Sequence, residues 1–121
     1  MVEDPTPLPL PSDSVLDEVV ELRRDFHRHP EVSFQERETS VKISERLRQL
    51  GLELKPCPTE TGAVGMLDSG RPGKTVMLRA DLDALPIFEE SGVDFESSSQ
   101  GRMHACGHDA HMAIMLGVAR T

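Results

Sequence analysis

The sequence predicts an α/β fold on the strength of three observations. Two segments in the first half carry apolar residues at helical spacing, and each of them opens on a capping signal. Three short strand-like runs follow, at residues 52–55, 63–67 and 75–80. The last stretch, residues 112–119, is apolar on every side, so we expect a helix that is buried all round.

The first predicted helix is capped by Ser14 and stops before Pro30, because a residue that precedes proline is disfavoured in the helical conformation. His27 and His29 lie near its end. We predict helix-end and loop roles for both, since no cysteine or carboxylate recurs beside them at ligand spacing. Residues 1–11 contain four prolines and no periodicity, which predicts a disordered lead-in to a domain spanning 12–121. The helix carries one apolar stripe, formed by Val15, Val19, Leu22 and Phe26.

The second predicted helix opens on a capping-box pattern at residues 33–36 and ends at Gly51. Prolines at positions 56 and 58 confine the first strand-like run to an edge or a strand end. A strong turn signal at residues 70–73 predicts that the runs 63–67 and 75–80 pair as a hairpin. Residues 88–101 are polar and predict a loop.

Two acids, Asp81 and Asp83, follow the third strand-like run directly. At a spacing of two, side chains at the end of an apolar strand project side by side into whatever cleft lies there. Strand ends in open α/β sheets are common ligand sites. The alternative is a solvated turn, and these residues by themselves favour neither interpretation.

Residues 101–111 hold three of the five histidines and one of the two cysteines. Nitrogen and sulfur ligands crowded into one segment indicate a transition-metal site, most often zinc. Cys106 and His108 are two apart, and Asp109 could brace a liganding imidazole through its other nitrogen. The alternative is an unreactive thiol beside polar histidines at a helix start, because two ligands do not make a closed four-ligand site.

The composition excludes several classes of protein. The 121 residues carry a formal net charge of −8, with no Trp and no Tyr. Nucleic-acid binding needs a basic face and aromatic stacking platforms, and an anionic membrane surface also attracts basic segments. The first residues do not resemble a secretory signal, so we expect a cytoplasmic protein with reduced thiols. A thiol redox protein is a weak alternative, because no Cys-x-x-Cys is present.

Three blocks resemble the metallo-amidohydrolases of the aminoacylase/carboxypeptidase superfamily. They read RDFHRHPE at 24–31, LRADLDALPI at 78–87 and GRMHACGHDAH at 101–111. Their order and spacing are similar to those of the branch with hippurate hydrolases, N-acyl-amino-acid amidohydrolases and auxin-conjugate hydrolases. The resemblance covers the chain from about residue 27 onward.

This resemblance implies a catalytic domain with a mixed sheet between helices and a centre of two divalent metal ions, zinc or manganese, with cobalt or nickel as further candidates. It implies that Cys106 and His108 are metal ligands. Asp83 corresponds to the catalytic acid that orients a ligand and polarises the site. Asp81 stands where more distant members have a ligand histidine. The supporting residues of the centre would be Asp81, His104, Asp109 and His111.

Family members are much longer, and they supply a Glu-Glu pair, two further histidine ligands and a lid or dimerisation domain. We therefore expect this chain to be the N-terminal part of the catalytic domain, cut within a core helix and inactive alone. The complete enzyme would hydrolyse the amide bond of N-acyl amino acids or related small peptide-like amides. The alternative is a non-catalytic metal-binding or interaction module. Apolar residues of the last helix predict self-association or a homo-oligomer.

Overall fold

The computed structural model of the protein describes residues 6–121, and its first helix, α1, runs from Asp13 to Arg28. Ser12 caps α1, since its side-chain oxygen accepts the Val15 N–H at 3.4 Å. The predicted cap, Ser14, is wrong by two residues, because the Ser-x-Ser pattern fits either start. Residues 6–11 of the predicted lead-in carry neither helix nor strand, and residues 1–5 lie outside the described residues.

Helix α2 runs from Arg37 to Gln49, and its N-terminus is capped from outside the helix. The predicted capping box does not form, because the Ser33 hydroxyl donates to Asp83 instead. Glu31 takes over this role by accepting the Thr39 N–H at 2.6 Å and the Thr39 hydroxyl at 2.5 Å. Burial acts to raise the pKa of Glu31, but these hydrogen bonds outweigh it and lower that pKa.

A left-handed glycine ends the second helix, as predicted. Gly51 has a φ of +86°, and the Leu52 N–H donates back to the Leu47 carbonyl at 3.0 Å. An αL residue in this position closes the last turn of a helix, and glycine adopts that conformation without a Cβ penalty. The chain is thereby turned toward the first strand.

The sheet is a two-stranded antiparallel hairpin. Strand β1 spans Glu53–Lys55 and strand β2 spans Val64–Met66, with Glu53 opposite Met66. The predicted hairpin between runs 63–67 and 75–80 is wrong, because β2 pairs with β1. Residues 75–80 form no strand, and Met77 is 87% exposed. The third strand-like run was apolar enough to be a strand but has no pairing partner within residues 6–121.

Helix α3, from His108 to Arg120, packs on α1 and completes the core. Gly117 allows the two helices to approach closely, since a Cβ there would lie 2.5 Å from Val19 Cγ2. Ile114 is 52% exposed and Val118 is 54% exposed, so the expected burial on all sides is wrong and α3 buries one face. The core cluster consists of Phe26, Ile43, Met112, Ala113 and Leu116.

The described chain therefore has three helices and a two-stranded sheet, and it is α/β as predicted. Parallel pairing within residues 6–121 is limited to an isolated bridge between Val32 and Ala84. This bridge joins the connection between α1 and α2 to the segment that carries the two acids. No helix in the described part of the chain is long and apolar enough to cross a membrane.

Candidate metal centre

Backbone hydrogen bonds bring the two acids and the histidine–cysteine segment together. Leu85 and Met103 form an antiparallel bridge, with N–H···O distances of 2.9 and 3.0 Å. One residue earlier, the Ala84 N–H donates to the Glu31 carbonyl at 2.8 Å. The segment after Met103 therefore starts beside Asp83, although 20 or so residues of loop separate the two in sequence.

His108 contacts Asp83 through a single ring nitrogen. Its Nδ1 lies 2.8 Å from the Asp83 backbone oxygen and 3.1 Å from Oδ1 of the same residue. Because both of these atoms accept, Nδ1 must carry the hydrogen, and Nε2 then has the free lone pair that a metal ion needs. Nε2 lies 3.8 Å from Asp81 Oδ2, which is beyond hydrogen-bond distance.

The carboxyl of Asp83 is held in its ionised form. The Ser33 hydroxyl donates to Asp83 Oδ2 at 2.6 Å. This hydrogen bond lowers the pKa of Asp83, with the neighbouring His108 acting in the same direction, and together they outweigh the opposing effect of burial. An ionised acid bonded to a histidine Nδ1–H fixes the orientation of the ring.

Asp81 and Asp83 line the same cleft, which has a volume of about 400 Å³. Of the two interpretations that the sequence left open, this position fits a cleft and not a solvated turn, although the run before the two acids is not a strand. Arg79 donates to Asp81 Oδ1 at 2.5 Å and also lines the cleft, as does Cys57. The cleft thus has a mixed polar and apolar lining, is open, and is bordered by the acid that orients His108.

The candidate metal donors themselves are only partly assembled. Cys106 is a free, exposed thiol, and the exposed His111 ring lies 6.3 Å from the His108 ring. Across residues 6–121, no three His, Cys, Asp or Glu side chains lie close enough together to hold a metal ion. A thiol and an imidazole with a free Nε2 fit the donor set that zinc and its neighbours take, as part of a shell. The assignment of Cys106 and His108 as ligands stays a prediction.

His104 is buried, and its imidazole has no hydrogen-bond partner in the described part of the chain. It is 4% exposed, and neither ring nitrogen has a hydrogen-bond partner among residues 6–121. Burial lowers the pKa of His104, against the opposing effect of the Asp109 charge. His104 is therefore a neutral imidazole packed beneath the segment that carries Cys106 and His108.

Asp109 belongs to a buried ionic chain that the sequence did not predict. Its Oδ2 accepts from Arg23 Nε at 2.9 Å and from His27 Nδ1 at 2.8 Å. The second ring nitrogen of His27, Nε2, lies 2.8 Å from Glu89 Oε2. The predicted helix-end position of His27 is confirmed, since it lies in the last turn of α1, but the sequence did not predict that this residue is 3% exposed and contacts two carboxyl groups. The predicted role of His29 fits its position at the helix C-cap.

One signal in the sequence pointed toward the buried position of His27. Arg23 and His27 are four residues apart, so they project from the same side of α1. Their common partner, Asp109, lies 82 positions after His27, and helical spacing carries no information about a contact at that distance.

The last third of the chain matches the family model described as Peptidase family M20/M25/M40, over residues 77–121. The chain is 48% identical over 104 residues to the Thermostable carboxypeptidase 2 of Saccharolobus solfataricus, covering 85% of this chain and 26% of that protein. It is 48% identical over 109 residues to an N-acyl-L-amino acid amidohydrolase of Geobacillus stearothermophilus, covering 89% and 29%. The chain thus spans less than a third of the length of these relatives.

Among solved structures, the chain is similar to the Bacillus subtilis YXEP protein, which is described as a dinuclear metal binding peptidase from the M20 family. The TM-score is 0.86 at 40% identity, covering 90% of this chain and 31% of that one. A second structure, of an aminohydrolase from methicillin-resistant Staphylococcus aureus, gives a TM-score of 0.83 at 47% identity, covering 88% and 28%. The resemblance to metallo-amidohydrolases predicted from three sequence blocks is therefore confirmed: in fold and sequence this chain is similar to an N-terminal piece of the α/β domain of proteins described as M20 peptidases and amidohydrolases.

Proposed function

We propose that this chain carries part of the metal centre of an amidohydrolase that cleaves the amide bond of N-acyl amino acids or related small peptide-like amides. The observation that carries the proposal is the pair of contacts from His108 Nδ1 to Asp83, which leaves Nε2 able to bind a cation. The names of the relatives support the substrate class, since they include an N-acyl-L-amino acid amidohydrolase and an N-acetylcysteine deacetylase.

In this proposal, Cys106 and His108 hold a divalent ion, and Asp83 keeps the His108 ring oriented. The dinuclear metal binding of the YXEP protein supports two ions in the complete centre, with zinc or manganese as the first candidates and cobalt or nickel next. When bound, such ions acidify a water molecule and polarise a carbonyl oxygen. The cleft bordered by Asp81 and Asp83 would admit the substrate.

The direct test is release of the acyl group from N-acetyl and N-benzoyl amino acids by the natural protein that carries this sequence, loaded in turn with zinc, manganese, cobalt and nickel. We expect turnover that chelators abolish and that at least one of these ions restores. The 121-residue chain assayed alone should stay at the background of the free ion, because only two candidate ligands lie in its described part. Absence of turnover with every ion and every substrate of this class would overturn the proposal.

A second candidate function is a non-catalytic metal-binding or interaction module. The observation that favours it is that the described residues bring fewer than three metal-binding side chains together. Metal binding that depends on Cys106 and His108, without amide hydrolysis by the natural protein, would favour this candidate over the enzyme.

The proposal also covers partners and location. A small-molecule substrate fits the net charge of −8 better than nucleic acid or an anionic membrane does. We propose a cytoplasmic location, and we propose that the chain associates with itself through the exposed apolar side chains of α3, which include Ile114 and Val118. Cell fractionation and light scattering test these two points separately.

A further inference from the structure

A buried ionic chain joins the C-terminal half of α1 to the first residues of α3 and to the loop at residues 86–101. Its central residue is His27, which contacts Asp109 and Glu89 at 2.8 Å each. The side chains of His27 and Glu89 are each 4% exposed, and that of Asp109 is 1% exposed. Removing one partner of an ionic contact that is sealed from water is strongly destabilising, because it leaves an uncompensated charge inside the protein.

Both ring nitrogens of His27 contact carboxyl groups. An ionised carboxylate only accepts hydrogen bonds, and each nitrogen faces one carboxylate oxygen. Burial opposes ionisation of Glu89, but hydrogen bonds from Ser91, His27 and Ser97 lower its pKa to about 2. His27 therefore bridges the carboxyl groups of Asp109 and Glu89, with one ring nitrogen against each.

The segment that carries the candidate ligands is attached to the rest of the fold at its two ends. At Met103 it is attached by two backbone hydrogen bonds to Leu85. At Asp109 it is attached by the side chains of His27 and Arg23. Between these ends the backbone turns at Gly107, which has a φ of +98°. The Asp109 attachment thus decides where the adjacent His108 begins α3.

Of the two groups that hold Asp109, His27 is the rigid one. The side chain of Arg23 is 38% exposed, so water screens its ion pair with Asp109 and its long chain can move. The His27 ring is fixed at both nitrogens, and its edge packs against Phe95 with ring centroids 5.4 Å apart. Because the His27 ring is held at three points, the Asp109 carboxylate that it contacts has a defined position.

We propose that His27 is a positioning residue for the candidate metal centre, acting through Asp109 to fix where α3 begins and thus where Cys106 and His108 lie. The inference rests on the proposed function, because it assigns His27 to the same centre. It adds a residue from the first block of the sequence, far from the ligand segment. His27 itself touches neither Cys106 nor His108 in this account, and its effect passes through the Asp109 contact.

Two substitutions separate the contacts of His27. In His27→Asn the amide nitrogen falls near the position of Nδ1, so a donor for Asp109 is kept and the donor for Glu89 is lost. In His27→Gln the amide nitrogen falls near the position of Nε2, so the Glu89 contact is kept and the Asp109 contact is lost. Both variants are uncharged, so each keeps one hydrogen bond of His27 and loses the other. His29→Gln is the matched control, because His29 is an exposed histidine at the end of the same helix.

The measurements are cobalt(II) affinity with its thiolate absorption band, the melting temperature, and amide hydrogen exchange of residues 104–110 without metal. We expect His27→Gln to weaken cobalt binding by about tenfold to a hundredfold, as loss of groups that orient ligands typically does. We expect His27→Asn and His29→Gln to bind cobalt as the parent does. If cobalt affinity instead follows the melting temperature equally in both His27 variants, His27 is a stabilising residue only and the proposal is overturned.

Hydrogen exchange separates failure of this inference from failure of the proposed function. A parent chain that binds no cobalt would count against the metal centre, and the positioning role would then be decided by exchange alone. Faster exchange at residues 104–110 in His27→Gln than in His27→Asn supports it, and equal exchange overturns it. If neither variant folds, Glu89→Gln gives the same decision, because it leaves the Asp109 contact in place. Parent-like cobalt affinity and exchange then support the proposal, and loss of either overturns it.

Discussion

His108 and Asp83 meet through one imidazole nitrogen, which lies 2.8 Å from the Asp83 backbone oxygen and 3.1 Å from its carboxylate. This arrangement sets the ring tautomer without any metal present, since both acceptors require a hydrogen on Nδ1. It also links the second and third blocks of the sequence physically, 25 positions apart. An ion that binds at Nε2 would thus meet a ligand that is already oriented.

Replacement of Asp83 by asparagine should leave most of the metal bound and reduce turnover of the natural protein by about tenfold to a hundredfold. The backbone oxygen of residue 83 still accepts from His108, but the charge that orients and polarises the ring is gone. Metal content and kcat are measured on the same preparation. Ser33→Ala is the control, since it removes only a hydrogen bond to Asp83 and should have a smaller effect. Parent-like turnover in Asp83→Asn would contradict this role.

Substitution of Cys106 by serine should abolish the thiolate-to-cobalt absorption band of the chain. Cys57→Ser is the matched control, because it removes the other free cysteine, which lies in the cleft and not in the ligand segment. Binding by the parent should be weak, since two protein ligands leave the remaining positions to water or to other histidines. A band that survives in Cys106→Ser and disappears in Cys57→Ser would show that Cys57, and not Cys106, is the metal ligand.

Glu89 should stabilise the fold at neutral pH and lose that effect in acid. Its pKa is lowered from 4.5 to about 2, so folding favours the ionised form. The stabilisation is therefore fully present above pH 4.5 and disappears as the pH falls toward 2. Urea unfolding of the parent and of Glu89→Gln should give a difference in the free energy of unfolding that is constant above pH 4.5 and shrinks as the pH falls from 4.5 to about 2.

The matched control for the acid experiment is Glu90→Gln, which changes the exposed neighbour of Glu89. We expect its effect to be small and to vary little with pH, because a surface charge contributes little to stability. A difference that persists unchanged to pH 2 in Glu89→Gln would show that the charge of Glu89 is not the cause.

The Gly117→Ala substitution should destabilise the protein by about 1 to 3 kcal/mol, because the added Cβ overpacks the contact between α1 and α3. That Cβ would lie 2.5 Å from Val19 Cγ2, and a β-branched side chain in a helix has little freedom to move away. The result is diagnostic because alanine is the better helix former at an open site. Thermal or urea unfolding measures the effect.

A double-mutant cycle identifies the partner in this contact. Val19→Ala should cost less in the Gly117→Ala background than in the parent, since removing the methyl groups makes room for the new Cβ. Val118→Ala, on the exposed face of the same helix, should change stability little. A stabilising Gly117→Ala would mean that α1 and α3 do not approach as closely as described.

Self-association should depend on the exposed face of α3. Light scattering of the chain at rising concentration should show an increasing mean mass, and the double variant Ile114→Lys, Val118→Lys should reduce it, because charge on an apolar patch opposes association. Val41→Lys on α2 is the control, since this residue is 57% exposed but lies on another helix. A parent chain that remains monomeric at every concentration would contradict the expectation.

The sequence predicted which residues belong to the candidate site, but it did not predict which of their side chains contact one another. Residues 101–111 are conspicuous for their nitrogen and sulfur ligands, and the two acids after residue 80 mark the neighbouring cleft. Nothing local indicates that His27 contacts Asp109, or that the Ser33 hydroxyl binds Asp83 and not its own helix. Both contacts join segments that are at least 50 positions apart.

The sequence by itself determined the features that depend on near neighbours along the chain. These are the α/β class, the end of α2 at Gly51, the end of β1 before Pro56, and the ligand-rich segment before α3. Their causes are steric limits on proline, the freedom of glycine and the periodicity of apolar side chains, all of which act within a few residues.

Tertiary structure decided which strand pairs with β1, which acid caps α2 and which face of α3 is buried. The run 75–80 has the composition of a strand but remains unpaired within residues 6–121, and Glu31 caps a helix that Ser33 was predicted to cap. Pairing and capping are competitions among distant groups, and burial of a polar residue such as His27 is stable only where hydrogen-bond partners reach it. Sequence patterns fix what each segment can do, and the free energy of contacts between segments selects among those options.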